Sequence, residues 1–163
     1  MADDVKDLEV SDVSEQDARL SEAHDMARTY MYTAMSFGLI PVPAVDFAAI
    51  SLTQLKMIHS LAAHYEVEFS KNVGKSIVGS LVGGALPTPL AVGAASMVKA
   101  IPIIGPLFGA VGVPIFAGAS TYALSRVFIQ HFESGGTFLD LNPEDVREYF
   151  AEQFKKGEGV AKD

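Results

Sequence analysis

Residues 76–98 read SIVGSLVGGALPTPLAVGAASMV and residues 100–125 read AIPIIGPLFGAVGVPIFAGASTYALS, so that Lys99 is the only charged residue between them. Each run is long enough to cross a hydrocarbon core of about 30 Å, which needs about 20 apolar residues. The chain has 163 residues and no cysteine, so it has the length of one domain and no disulfides to stabilise it. The two runs therefore decide the fold, because they must be buried in lipid, in a protein core or in an oligomer.

Small residues in both runs favour close helix packing. Eleven of the 23 residues in the first run are Gly, Ala or Ser. Gly79 and Gly83 lie at the GxxxG spacing, and Gly105 and Gly109 repeat it in the second run. This spacing lets two helix backbones approach closely. We predict that these four glycines lie where the hydrophobic helices meet.

Prolines interrupt the same runs. Pro87 and Pro89 divide the first run, and Pro102, Pro106 and Pro114 divide the second. Proline lacks an N–H group and clashes with the preceding helical turn, so it breaks or kinks a helix. Broken helices at membrane depth need shelter from lipid. We therefore predict an all-α, membrane-associated fold of helical hairpins with Gly/Pro-broken hydrophobic helices.

The sequence of the N-terminal third indicates a disordered tail followed by two amphipathic helices. Residues 1–12 are acidic and read as a disordered tail. A first helix is expected to begin near Ser14 and to end at Gly38 and the following Pro-Val-Pro turn. Its apolar stripe has spacings of three and four and comprises Leu20, Ala23, Ala27, Met31 and Ala34.

The second helix is expected to begin at Asp46 and to run for about 25 residues. Its predicted apolar face comprises Leu55, Ile58, Ala62, Tyr65 and Phe69, with Gln54 away from that face.

The C-terminal part has the character of a soluble helix. Asn142 is expected to cap it, Pro143 to take the first helical position, and two acidic residues to follow in the first turn. Its apolar stripe ends before Lys155-Lys156-Gly157, where we expect the helix to stop. We divide the chain into the tail at 1–12, a helical hydrophobic domain at 13–136 with the hairpin region at 76–125, and a C-terminal amphipathic helix and tail at 137–163.

Charge is concentrated at the ends of the chain. The net charge is −8, and residues 1–30 carry nine acidic and three basic groups. No basic stripe is present to neutralise phosphates, which argues against nucleic-acid binding. Lys71 and Lys75 before the apolar runs and Arg126 after them place both termini in the cytoplasm by the positive-inside rule. The expected location is the bacterial inner membrane, with the cytoplasm as the alternative.

No catalytic or cofactor site is evident from the sequence. Gly74-Lys75-Ser76 matches the end of a phosphate-binding loop, but Phe69 stands where the first glycine is required, and the preceding residues read as a helix. The four histidines lack the convergent ligands that zinc needs. We therefore expect no enzyme activity, no cofactor and no metal.

Asp46 is the ionisable residue that stands out, because it lies in an apolar stretch. An acid inside a membrane segment is a functional candidate, and Lys99 would be its partner in an intramembrane polar pair. The alternative is that Asp46 caps the second helix, a position that Asp suits well. Similarly, Thr121 and Tyr122 are expected to be hydrogen-bonded packing residues.

The order and spacing of several short patterns suggest a family. They are Pro41-x-Pro43-x-x-Asp46, Gln54-Leu55-x-Met57-Ile58, Ile101-Pro102-x-x-Gly105, and the run from Ala119 through Thr121-Tyr122-Ala123-Leu124 to Phe132-x-x-Gly135. Together, over about residues 20–136, they resemble a bacterial domain-of-unknown-function family that is YcjF-like and linked to Era-type GTPases. The resemblance implies a helical, often membrane-associated module that accompanies a GTPase. This chain has no GTPase domain, so the GTPase would be a separate partner.

Three functions remain open at this point. The first is a membrane-associated helical adaptor or scaffold whose hairpins sit in the lipid bilayer and whose partner is a separate small GTPase. The second is a soluble small-residue helical bundle that acts as a homo-oligomeric interaction module. The third, supported by the broken helices and Asp46, is a pore or transport component.

Overall fold

The structure is a computed structural model. It describes the backbone of residues 2–40, 43–85 and 97–163, and the side chains of residues 12–40, 47–84 and 112–163. These ranges hold five α-helices and no strand: α1 (Ala2–Phe37), α2 (Pro43–His64), α3 (Lys71–Ala85), α4 (Met97–Glu133) and α5 (Pro143–Lys162). The all-α prediction is confirmed.

Helix α4 is the centre of the fold, and α1, α2 and α5 all pack against it. Most residues of its second half are buried against these three helices. The buried residues on α4 include Ala117, Ala119, Ala123, Leu124, Val127 and Phe128.

Helix α1 lies antiparallel to α4 and buries the predicted stripe. Ala23, Met31 and Ala34 are 0–1% exposed. The helix ends at Phe37, as predicted. A Cβ on Gly38 would lie 3.0 Å from the backbone N and Cα of Pro114, so the end of α1 touches the α4 backbone directly.

The start of α1 differs from the prediction. The helix begins at Ala2, where we expected a disordered tail, and Ser14 lies inside it. The sequence holds no glycine or proline before Gly38. A capping residue only favours a helix start, and without a breaker nothing stops the helix from extending further towards the N-terminus.

Helix α2 is shorter than predicted and begins earlier. Pro43 takes the first helical position, so the prediction that Asp46 caps the helix is wrong: Asp46 is the fourth residue of the helix. The helix ends at His64, not near residue 70. Gln54, which we placed off the apolar face, is 1% exposed.

The prolines do not interrupt α4, which runs continuously from Met97 through Pro102, Pro106 and Pro114. A proline removes one hydrogen bond and can kink a helix without ending it. The prediction of a helix broken at these prolines is therefore wrong. Pro87 and Pro89 lie outside the described residues.

One helical stretch in the described part, Gly112–Glu133, is long and apolar enough to cross a membrane. Within it, 72% of an apolar 18-residue window is buried inside the chain's own bundle. Its apolar character is thus largely accounted for by the protein core.

The start of α5 agrees with the sequence in detail. Asn142 accepts a hydrogen bond from the Glu144 backbone N at 3.2 Å, and Pro143 is the first helical residue. The helix continues through Gly157 to Lys162, five residues beyond the predicted stop. Gly157 is buried against α4, and that packing keeps the last turns helical.

Candidate binding groove

A groove of about 740 Å³ opens at the end of the bundle where α2 and α4 terminate. One wall is the connection from α2 to α3, residues 65–72, and the other is formed by residues 132–139 around the end of α4. Pro114, beside the α1–α2 turn, lies 18 residues before Phe132 on α4. At 1.5 Å per residue this places the groove about 27 Å from that turn.

Aromatic rings form the floor of the groove. Phe69 meets Phe138 edge to face with ring centroids 5.5 Å apart, and Phe132 lies 5.7 Å from Phe138. Phe132 and Phe138 are buried, and Phe69 is partly exposed in the groove. Edge-to-face pairs add about 0.5–1.5 kcal/mol beyond the burial of their area. The floor is therefore a fixed part of the core.

Helix α2 ends in the Schellman geometry at the rim of this groove. The Val67 N–H donates to Ala62 O at 2.8 Å, and the Glu66 N–H donates to Ala63 O at 3.2 Å. This geometry puts Glu66 in the left-handed region with φ of 57°. Glycine normally takes that position because a Cβ is strained there.

Helix α4 ends in the same way on the opposite wall. Gly135 has φ of 80°, the Gly136 N–H donates to His131 O, and the Gly135 N–H donates to Phe132 O, both at 2.9 Å. His131 Nε2 then donates to Thr137 O at 2.8 Å and holds the chain as it turns towards α5. The two walls are thus matched helix ends, one with Gly and one with Glu at the left-handed position.

Replacing Glu66 by glycine is expected to raise the free energy of unfolding by about 0.5–1 kcal/mol. Relief of the left-handed strain contributes about 1–2 kcal/mol, and the greater freedom of glycine in the unfolded chain offsets about 0.5–1 kcal/mol of it. Urea denaturation followed by circular dichroism measures the change.

Gly135→Ala is the matched control at the other helix end. No atom lies within 4 Å of its Cβ position, so only backbone strain acts, and stability should fall by a similar amount. Equal stability of Glu66→Gly and the unsubstituted chain would show that Glu66 is not strained.

A polar cluster behind the groove joins three helices. The Tyr65 hydroxyl donates to Glu133 Oε1 at 2.7 Å, and the Arg19 guanidinium lies 5.3 Å above the Tyr65 ring. His64 Nε2 donates to Arg19 O at 2.9 Å. Burial, and then the hydrogen bond to Glu133, raise the pKa of Tyr65 above its ordinary value, so its hydroxyl remains a donor. The cluster fixes the ends of α1, α2 and α4 relative to one another.

Few charged side chains line the groove. Its charged side chains are Glu66, Glu68 and Lys71, all exposed at the rim. The described part of the chain holds no group of three or more His, Asp or Glu residues placed to bind a metal ion. On the opposite wall, the Thr137 hydroxyl donates a hydrogen bond to Asp140 at 2.8 Å. This hydrogen bond lowers the pKa of the Asp140 carboxyl.

Comparison with known proteins places the chain in a family. A family model described as Domain of unknown function (DUF697) matches residues 3–158, nearly the whole chain. The chain belongs to the DUF697 family. Magnetosome membrane protein 22 of Magnetospirillum gryphiswaldense is 38% identical over 140 residues, which cover 85% of this chain and 72% of that relative. No solved structure matches the chain.

The DUF697 assignment agrees with the coarse resemblance seen in the sequence, namely a helical domain-of-unknown-function family with a membrane protein among its relatives. The link to GTPases and the YcjF-like character stay predictions.

The predicted packing glycines of this DUF697 chain are only partly described. Gly105, Gly109 and the polar pair of Asp46 and Lys99 have side-chain positions outside the described residues. At Gly79 and Gly83 no described atom lies within 4 Å of an added Cβ. Their role in helix packing therefore stays a prediction.

Close glycine packing does occur between α4 and α5. A Cβ on Gly157 would lie 2.9 Å from Ala119 Cα, and one on Gly118 would lie 2.8 Å from Met35 and 3.1 Å from Ala161. Gly157 and Ala161 have the same four-residue spacing that drew attention to the other glycines. They lie in the charged helix α5, outside the apolar runs whose glycines the sequence singles out.

The core of the DUF697 bundle contains a polar cluster of which the sequence predicted one member, Thr121. Gln54 Nε2 donates to Ser120 Oγ at 3.0 Å and to Thr121 Oγ1 at 3.3 Å. All three side chains are at most 1% exposed. Thr121 is thus a hydrogen-bonded packing residue, as predicted, and Gln54 is its unexpected partner.

His24 makes a second polar contact across α1 and α4. The Arg126 guanidinium donates to the His24 ring at 2.9–3.0 Å and also lies 4.8 Å above the Tyr122 ring. Burial, and then the charge of Arg126, lower the pKa of His24. The neutral ring therefore acts as an acceptor at the interface between α1 and α4.

Proposed function

We propose that this DUF697 protein is a membrane-associated helical adaptor. The observation that carries the proposal is the 38% identity, over 85% of the chain, to a relative named as a magnetosome membrane protein. In the described part of the chain, α1 and α5 are amphipathic and pack against the apolar helix α4. The segment that enters the bilayer is therefore residues 85–111, where Lys99 is the only charge.

The surface near the start of the described part of α4 fits this placement. Gly38 touches Pro114. The α1–α2 turn therefore lies at the end of the bundle that is nearest to residues 97–111, the first part of α4. Leu39 and Ile40 in that turn are 69% and 38% exposed. Exposed apolar side chains beside an apolar segment favour contact with lipid.

The opposite end of the bundle is suited to the cytoplasm. Arg19 reaches Glu133 at the last residue of α4, so residues 2–18 of α1 extend past that end. These residues are rich in acids, which an anionic membrane surface repels. The N-terminus and the groove then face the cytoplasm of a bacterium, while the end of α5 lies beside Gly118, nearer the membrane. A separate GTPase is the partner class that the family resemblance suggests. The proposal assigns the chain no catalysis of its own.

A soluble interaction module is the second candidate, because 72% of an apolar 18-residue window in Gly112–Glu133 is buried within the chain. Alkaline carbonate extraction of bacteria expressing the full chain separates the two. The adaptor should stay in the membrane pellet, and Ile103→Asp/Ile104→Asp should release it. Leu139→Asp is the matched control, since Leu139 is 88% exposed at the groove end. Release of the unsubstituted chain as a monodisperse protein would favour the soluble module and contradict the adaptor.

A further inference from the structure

The wall of the groove formed by residues 67–70 has the properties of an unpaired edge strand. These residues connect α2 and α3 and lie outside both helices. Val67 and Phe69 point towards the core, while Glu66 and Glu68 on either side are exposed, the two-residue alternation of a strand.

The backbone of this wall lacks partners among the described residues. The N–H groups of Glu68, Phe69 and Ser70 and the carbonyls of Val67, Glu68 and Phe69 make no hydrogen bond to another described group. Donors and acceptors in an extended row form the template that a peptide pairs with when it adds a strand. The wall therefore offers main-chain binding to an incoming segment.

The surroundings of the wall define the chemistry of that segment. The half-buried ring of Phe69 offers an apolar contact to an incoming side chain, and Leu139, 88% exposed on the opposite wall, offers a second. Glu66 and Glu68 carry negative charge at the rim, against Lys71 alone. Complementary potentials steer and orient partners at such surfaces.

We propose that the groove binds an extended segment of a partner protein in which basic and apolar residues alternate. The segment pairs with the backbone of residues 67–70 and sets its apolar side chains against Phe69 and Leu139. It places its basic side chains beside Glu66 and Glu68. This inference deepens the adaptor proposal, since it names the surface and the kind of partner segment that the adaptor takes. It also explains why strained Glu66 occupies a position where glycine fits better.

The test uses a fluorescent peptide of alternating lysine and valine, titrated against the full chain in detergent or lipid discs. Saturable binding is expected, weakened at least about tenfold by Glu66→Lys/Glu68→Lys. The matched control is Glu22→Lys/Glu148→Lys, which makes the same change in net charge at exposed acids outside the groove and should leave the affinity unchanged. Methylating the peptide's amide nitrogens should abolish binding, because it removes the donors that pair with the wall.

Amide hydrogen exchange locates the contact. Bound peptide should slow exchange at Glu68, Phe69 and Ser70. Equal loss of affinity in both charge variants, binding of the methylated peptide, or unchanged exchange in this segment would overturn the inference. So would self-association of the chain that is lost in Glu66→Lys/Glu68→Lys, since a second copy would then fill the groove.

Membrane attachment of the same variants is measured separately by flotation with lipid vesicles. Flotation without peptide binding would refute the groove inference and leave the adaptor proposal standing. Peptide binding without flotation would refute membrane attachment and leave the groove inference standing.

Discussion

Replacing Gly157 by alanine is expected to lower the free energy of unfolding by about 1–2 kcal/mol. The new Cβ would lie 2.9 Å from Ala119 Cα and 3.0 Å from Ala119 O, which are backbone atoms of α4. Backbone cannot rotate aside, so α5 must move away from α4. Alanine gains about 1 kcal/mol of helix propensity over glycine, and that gain offsets part of the cost of overpacking, about 1–3 kcal/mol.

Gly159→Ala is the matched control, two residues further along the same helix. Gly159 is exposed and no atom lies within 4 Å of its Cβ position. Only the propensity gain acts there, so stability should rise by up to about 1 kcal/mol. Urea denaturation of both variants measures the two changes in the free energy of unfolding, which should have opposite signs. A stabilised Gly157→Ala variant would show that α5 does not pack on α4 at this distance.

Gln54→Ala should lower the free energy of unfolding by about 2–4 kcal/mol, because it leaves a cavity and two buried hydroxyls without their partner. Gln54 is 1% exposed, and Ser120 and Thr121 are fully buried. The Ser120 hydroxyl still donates a hydrogen bond to Ala117 O, so it loses only one of its two hydrogen bonds. Gln54→Leu keeps most of the volume and loses only the hydrogen bonds, so we expect a smaller loss of about 1–2 kcal/mol.

Gln130→Ala is the control for this series, since Gln130 is exposed on α4. It should change stability by less than about 0.5 kcal/mol. Thermal and urea unfolding of the three variants give the ranking. If Gln54→Ala behaves like Gln130→Ala, the polar cluster does not stabilise the core.

Helix boundaries were predictable wherever a residue type has a physical reason to stop or start a helix. Asn142 and Pro143 placed the start of α5, and Gly38 placed the end of α1. The end of α2 had no such signal, because Glu66 takes the left-handed position that glycine normally marks. The predicted start of α1 was wrong for a related reason. Ser14 is a favourable capping residue, but no glycine or proline precedes it to stop the helix from extending towards the N-terminus.

Contacts between distant residues were not predictable from one sequence. Gln54 is buried because Ser120 and Thr121 lie opposite it, 66 and 67 residues away. The groove likewise combines residues 65–72 with residues 132–139, and only the packing of α2 beside α4 brings them together. The aromatic residues of its floor were visible as single apolar positions but not as one surface.

We treated residues 100–125 as one membrane candidate, whereas its second half is the buried centre of a helical bundle. A protein core and a bilayer select the same apolar residues, so composition alone does not separate them. Partners on α1, α2 and α5 make the distinction, and those lie far away in the chain.

The central claim is that residues 85–111 enter the bilayer while the groove end remains in water. The chain has no cysteine, so a single introduced cysteine can carry an environment-sensitive fluorophore at Ala100 or at Leu139. In lipid vesicles we predict that the probe at residue 100 is quenched by nitroxide-labelled lipids and shielded from aqueous iodide. The probe at residue 139 should show the reverse. Iodide quenching of both probes to the same extent, with no quenching by the labelled lipids, would contradict membrane attachment.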